Sequence, residues 1–267
     1  MLFHFTTELP QIEDLQPGAL GQLVVFPKGS GAMRFAERAD PATAKAHLFS
    51  GFSSAAPFEM RGPWHAIGAS LSPLGWAALT GKPACEYIDR FMPATELLGD
   101  EVEVFAAELS EDYCAGELTG LEAARALGNW IGGRLGTIPR AHERLIEQVI
   151  AWLGTSLNPE LESLFANLAY SRRQAERLVE RYFGLPPAAL ARKYRAVRAA
   201  ALLAKENLSH HEEGAIADAF YDQPHMVHEI RRYCGYTPSR LGGDGQPILK
   251  TLLQMKNFSR LQDFRAS

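Results

Sequence analysis

The chain has 267 residues, of which 46% are hydrophobic and 22% charged, enough to bury a sizeable core and long enough for two modest domains. Its start, MLFHFTTELPQ, has no basic stretch ahead of an apolar one, and no apolar run reaches the ~18 residues a membrane helix needs, so neither a leader nor a membrane span is expected and the cytoplasm is the expected location. Cys85, Cys114 and Cys234 stand far apart without a CxxC pair, which argues against a disulfide framework or a zinc site and for reduced, mostly buried thiols.

The formal charge of −4 conceals an asymmetry. Residues 1–157 carry 11 Lys/Arg against 19 Asp/Glu, residues 158–241 carry 12 against 10, and residues 242–267 carry 4 against 2. An acidic part joined to a mildly basic one fits a sensing domain tethered to a binder of polyanions, although solvated faces alone can give so small a positive excess.

The first hundred residues are rich in strand and turn signals. Gln22 to Pro27 reads as a strand stopped by proline, Lys28-Gly29-Ser30-Gly31 as a turn, and Ala32 to Glu37 as the next strand. Ala46 to Phe52 and His65 to Leu71 follow, the latter ended by Ser72-Pro73-Leu74-Gly75. Short strands so spaced suggest a small antiparallel β-barrel or sandwich, a shape that can hold one small ligand in its mouth. Trp64 and Trp76 are aromatic candidates for such a pocket or for plain core.

From Asp100 the pattern becomes helical. Val102, Phe105, Ala106 and Leu109 fall at helical spacing, then Leu121, Ala124, Leu127, Ile131 and Leu135, then Leu145, Val149, Trp152 and Leu153. Pro139 and the glycines Gly132, Gly133 and Gly136 divide them into separate helices. These either brace the barrel, pair with a second subunit, or simply cover one sheet face.

Between Leu161 and Leu241 one unit occurs twice. In the first copy Leu161, Leu164, Phe165 and Leu168 form an apolar stripe, Ala169-Tyr170 make a turn, and Ser171 opens a helix with Gln174 three residues on, a capping-box pattern. Ala175, Leu178, Val179 and Tyr182 then face inward, leaving Arg172, Arg173, Glu176, Arg177, Glu180 and Arg181 outward. An arginine-bearing face of this kind can lie in a DNA major groove, where arginine reads guanine and further arginines hold phosphates.

In the second copy Ala215-Ile216-Ala217 and Phe220 supply the stripe, Asp222 the N-cap, and Pro224 the first turn. Met226, Ile230 and Tyr233 are expected inside; Gln223, His225, His228, Glu229, Arg231 and Arg232 are expected outside. Between the copies Pro187 to Asn207 carries Leu190, Tyr194, Val197, Ala201 and Leu202 at helical spacing. Twenty residues would make a rod of about 30 Å, close to the roughly 34 Å between successive major-groove faces.

These phrases carry a resemblance. Ala169-Tyr170-Ser171-Arg172-Arg173-Gln174, Tyr182-Phe183-Gly184-Leu185 and Pro187, followed by Ala219-Phe220-Tyr221-Asp222-Gln223-Pro224-His225-Met226, Ile230-Arg231-Arg232 and Gly235-Tyr236-Thr237-Pro238, closely resemble the paired helix-turn-helix domain of the AraC/XylS family of transcription regulators. The stretch His65 to Gly99 more weakly resembles the N-terminal domain of some members. The resemblance implies an α+β protein with four parts: a β-rich sensing or oligomerisation domain at 1–99, a helical connector at 100–157, an all-α DNA-binding domain at 158–241, and a flexible joint with a C-terminal helix at 242–267. It implies double-stranded DNA as partner, with a small-molecule effector, RNA polymerase and a second copy of the chain as further partners, and no cofactor.

Carried over by position, Arg172, Arg173, Glu176 and Arg177 face the groove from the first reading helix, and Gln223, Pro224, His225 and His228 from the second; Arg181, Arg231 and Arg232 lie near phosphates. The family usually has glycine in both turns where this chain has Ala169 and Ala219, which would cost on the order of 1 kcal/mol if either needs a positive φ. Gly214 stands where an apolar helix former is usual. His228 replaces a frequent arginine and Pro224 lacks a donor, so the second helix is expected to read less sequence and mainly to hold the backbone.

Competing classes are weaker. A metal-dependent barrel enzyme needs clustered ligands, whereas His4, His47, His65 and His142 are isolated in sequence, and no GxSxG, phosphate loop or HExxH occurs. A DNA-repair methyl acceptor needs an activated cysteine, and Cys85 has only Lys82 nearby. A degenerate member that kept the fold but binds DNA without sequence preference, or serves as an interaction module, is the remaining alternative. In the tail, Gly242-Gly243-Asp244-Gly245 reads as a joint, and Pro247 to Phe258 as an amphipathic helix with Lys250 and Lys256 on its polar side. That helix docks on the protein's own surface or meets a partner or the DNA backbone.

Overall fold

Alternating apolar residues in the first hundred positions pair into one seven-stranded sheet, here described from a computed structural model covering residues 1–253 except Ala19, Glu37, Glu206, Gly242, Asp244 and Gly245. The strands are β1 (Leu2–Thr7), β2 (Gln11–Gln16), β3 (Gly21–Phe35), β4 (Arg38–Pro41), β5 (Ala46–Phe49), β6 (Ala56–Leu71) and β7 (Met92–Pro93). Their order is β1-β6-β3-β5-β7, with β2 also beside β6 and β4 beside β3. The β1–β6, β6–β3, β3–β4, β3–β5 and β5–β7 pairings are antiparallel.

Several expectations for this region change, and the strand read from Ala46 to Phe52 ends at Phe49. The strand begun at Gln22 does not stop at Pro27, nor is Lys28 to Gly31 a turn between strands; β3 runs on to Phe35. Its register against β6 shifts between Val25 and Lys28 and again between Lys28 and Ser30. Such bulges accommodate a proline that cannot donate to the ladder. Ser72 to Gly75 does not merely end a strand: the Ser72 side chain accepts from the Gly75 N–H at 3.0 Å and starts a helix, α1 (Pro73–Thr80).

The helices that follow are α2 (Thr95–Leu98), α3 (Glu101–Ala115), α4 (Gly120–Gly132), α5 (Arg140–Gly154), α6 (Leu161–Asn167), α7 (Arg172–Phe183), α8 (Pro187–Leu203), α9 (His210–Ala219), α10 (Gln223–Cys234) and α11 (Pro247–Leu252). The helical pattern read through Leu135 ends earlier, at Gly132, and leaves Leu135 exposed. Residues 254–258 of the expected tail helix, Lys256 among them, lie outside the described residues.

The chain forms two compact units: Met1–Glu13 with Leu20–Gly51 and Pro57–Ile138, and Asp14–Ala19 with Phe52–Ala56 and Pro139–Ser267. In the first, one sheet face packs under α3 and α4: Leu23, Val25, Leu48 and Ile67 meet Val102, Ala106, Leu109, Ala124 and Leu127, with Trp76 among them. Trp64 is half-buried, its ring 5.4 Å from Phe5 and 5.6 Å from Phe26. His47 is fully buried, accepts the Thr43 N–H on Nε2 at 3.2 Å and stacks on Phe91 at 4.5 Å. Burial pulls its pKa down to about 4, against the upward pull of Glu103.

His4 and His65, separate in sequence, converge on one Tyr113 hydroxyl at 2.9 and 2.7 Å. Among the described residues no group of three or more His, Cys, Asp or Glu is arranged to hold a metal. None of the three cysteines is in a disulfide, but the expectation of mostly buried thiols fails: Cys114 is exposed, Cys85 half-buried, and only Cys234 fully enclosed.

Candidate nucleic-acid interface

The second unit is built around α8. Its alanines and leucines pack with Ile216, Ala219, Phe220, Ile230, Tyr233 and Cys234. The expected rod of Pro187 to Asn207 is shorter, 17 residues, and at 1.5 Å per residue about 25 Å long. It is also enclosed on nearly every side, so it serves as the core of the unit rather than as a bare spacer.

Upstream of α8 stands the first helix pair, α6 and α7. Ser171 caps α7 as its sequence predicts: its Oγ accepts the Gln174 N–H at 3.4 Å, and the Gln174 side-chain oxygen accepts the Ser171 N–H at 3.2 Å. The helix ends at Gly184, whose φ of 79° closes the last turn through a bond from its N–H to the Glu180 carbonyl. Ala175, Leu178, Val179 and Tyr182 are buried, and the Tyr182 hydroxyl lies 2.7 Å from His142 Nδ1.

The outer face of α7 holds Arg172, Arg173, Arg177, Glu180 and Arg181, with Glu176 half-buried. These arginines differ in availability. Arg172 bonds Glu162 at 2.8 Å and Glu176 at 3.4 Å and lies 4.6 Å over the Phe165 ring. Arg173, Arg177 and Arg181 make no hydrogen bond or ion pair with described residues. Three guanidinium groups therefore remain for an incoming acceptor.

The second pair, α9 and α10, repeats the plan. Asp222 Oδ1 accepts the His225 N–H at 2.7 Å, Pro224 sits in the first turn, and Gly235 at φ 83° closes the helix. Gln223, Pro224, His228, Arg231 and Arg232 are exposed, and His225 is half-buried. Tyr221, directly before the cap and 93% exposed, was not among the expected site residues; an aromatic ring just outside a capped helix was the available signal.

Glu229 corrects the sequence reading. Expected outside, it is buried, and its carboxylate receives Arg195 Nε at 2.9 Å and Nη2 at 2.7 and 2.8 Å. Arg195 also reaches the Asn158 side chain at 2.7 Å. His225 lies against the same carboxylate, Nε2 to Oε1 at 3.3 Å, while its Nδ1 accepts the Tyr221 N–H at 3.4 Å. With the second nitrogen accepting, the neutral ring carries its proton on Nε2, the atom that faces Glu229. Both ring nitrogens are thus engaged inside the protein.

Neighbouring cations of α8 are also tied inward. Arg198 donates to the Leu153 and Ser156 carbonyls at 2.7 and 2.9 Å, and burial lowers its pKa to about 10. Cys234 is enclosed, its thiol pushed up to about 12, which excludes it as a ready nucleophile. Neither Ala169 nor Ala219 has a positive φ; among the described non-glycine residues only Ala36 and Asp89 do. The alanine turns therefore carry no left-handed strain. Around Gly214 an added Cβ would meet no atom within 4 Å.

Residues 164–242, from α6 to just past α10, match the model of a family described as a helix-turn-helix domain. Among solved structures, an apo lysine-to-alanine variant of ToxT from Vibrio cholerae aligns at 10% identity and a TM-score of 0.47, covering 90% of this chain and 95% of its own. Another ToxT structure from Vibrio cholerae aligns at 10% identity and 0.45, covering 90% and 96%. Wild-type ToxT with bound unsaturated fatty acid aligns at 10% identity and 0.43, covering 90% and 92%. No curated protein matches the chain.

Proposed function

We propose that the chain is a DNA-binding transcription regulator of the AraC/XylS kind, gripping one duplex with α7 and α10. The observation that carries this reading is the arginine face of α7: Arg173, Arg177 and Arg181 stand exposed and unpaired among described residues opposite a fully buried stripe. Arginine is suited to bidentate contact with guanine O6 and N7 and with phosphate. In this reading Arg173 and Arg177 read bases, Arg181 holds the backbone, and Arg172, already paired with Glu162, orients the face with Glu176.

The second helix does different work. With His225 held between Tyr221 and Glu229, base contact falls to Gln223, while Pro224 packs on the groove wall and His228, Arg231 and Arg232 meet phosphates. Tyr221 joins this face as a hydroxyl donor to the backbone. The sheet unit receives a small-molecule effector or a second copy of the chain, and RNA polymerase is the downstream partner.

Selection of bound duplexes from a random pool, repeated at two salt concentrations, tests the reading. A recovered motif with two elements about one helical turn apart is the expected result. Binding that yields no motif and fades as salt rises would instead identify a sequence-blind binder.

A further inference from the structure

The compact helical unit includes two short stretches drawn from the sheet-forming part of the sequence, 14–19 and 52–56. They meet α10 at its C-terminal end, away from its Asp222 N-cap. Asp14 is 97% buried, and its Oδ2 accepts the N–H groups of Ile248 and Leu249 at 3.0 and 2.9 Å, so a residue more than two hundred positions away caps α11. Its Oδ1 accepts the Leu15 N–H at 2.8 Å and faces the Tyr236 hydroxyl at 3.4 Å. Leu15 lies on Gly235, where an added Cβ would come within 2.3 Å of it. The Ala55 N–H donates to the Arg232 carbonyl at 2.9 Å, satisfying an acceptor at the end of α10 that the helix itself leaves open. Lys193, on α8 and only 3% exposed, donates its ammonium protons to the carbonyls of Gly18 and Phe52.

The end of α10 is thereby fixed from outside the helix-turn-helix sequence. Gly235, Tyr236 and the Arg232 carbonyl each meet residues 14–15 or 55, and α8, against which α10 packs, is tied to 18 and 52. We propose that these two stretches form an intramolecular clamp that positions α10 on DNA, with Asp14 and Lys193 as its charged fasteners and as positioning residues for binding. This rests on the reading of α10 as a DNA-contacting helix. Residues 14–16 are the last of β2 and residue 56 the first of β6, so the clamp is built from the ends of two strands, while α7, which none of these bonds touches, keeps its geometry.

Asp14→Ala in the full chain is the test, with Leu15→Ala beside it should the first variant not fold. Bound to the duplex selected with the unmodified protein, either variant is expected to lose at least tenfold in affinity, with footprint protection lost over the element covered by α10 and kept over that covered by α7. Amide exchange without DNA is expected to quicken at least tenfold in α10 and α11 and to stay unchanged in α7. Unchanged exchange in α10, or equal loss of protection over both elements, would overturn the clamp. Absence of any selected motif with the unmodified protein would overturn the DNA reading alone, and the exchange experiment would still decide the clamp.

Discussion

Arg195 and Glu229 form a two-pronged ion pair between α8 and α10, with side chains only 9% and 7% exposed. One side of the guanidinium also lies 5.2 Å over the Phe220 ring, and Nη1 reaches Asn158. Removing one member of such a pair strands the other in a poorly solvated site. Arg195→Ala is therefore expected to destabilise the helical unit by about 3–5 kcal/mol, read as a fall in the urea midpoint with the slope unchanged.

Gly214 predicts the opposite sign. It lies within α9 with open space where a Cβ would go. Gly214→Ala should stabilise by about 0.5–1 kcal/mol, because the alanine chain loses less freedom on folding. A rise in the thermal midpoint with unchanged DNA affinity is the expected measurement.

The capping box of α7 is worth testing separately. Ser171→Ala removes the acceptor for the Gln174 N–H and is expected to cost about 1 kcal/mol. Ser171→Asp should retain most of that, as the two urea curves would show.

On DNA the two reading helices should respond differently. Arg173→Ala is expected to relax base preference at one position at a cost of about 1–3 kcal/mol, whereas His228→Ala weakens selected and unrelated duplexes alike. Arg181→Ala should lower the slope of log affinity against log salt by about 0.9, one phosphate contact. A His228→Ala variant that loses only its sequence preference would refute the division of labour.

His47 sets a pH dependence in the sheet unit. Folded, it protonates near its depressed value of about 4; unfolded, near 6.5. Between those values only the unfolded chain takes up the proton, so stability is full above pH 6.5 and falls as pH drops towards 4. The loss amounts to at most about 3 kcal/mol. His47→Gln should remove that part of the slope in a urea series run from pH 7 to 4.

The helix-turn-helix caps were legible because their chemistry is local. Ser171 with Gln174 and Asp222 with the His225 N–H each involve partners within about one turn. The path of β3 across Pro27 was not, since the bulges belong to its pairing with β6. Glu229 was misplaced because helical spacing cannot show a partner 34 residues away. A usable sign did exist in Lys193, Arg195 and Arg198: charges on a helix otherwise made of alanine, leucine and valine need acceptors within the core. Nothing in the periodicity of residues 14–18 or 52–56 announces that they complete a helical unit beginning at Pro139.

That last feature bears on how the chain is made. Phe52, wholly buried in the finished protein, leaves the ribosome 141 residues before Lys193, a delay of roughly 7–28 s at about 5–20 residues per second. For that interval the Phe52 and Gly18 carbonyls lack the Lys193 ammonium that bonds both in the finished protein, and the nascent chain must hold this end until α8 arrives. Synthesis from the N-terminus thus makes the helical unit the last to close, and a stall between Ile138 and Lys193 would leave an apolar end waiting for a chaperone.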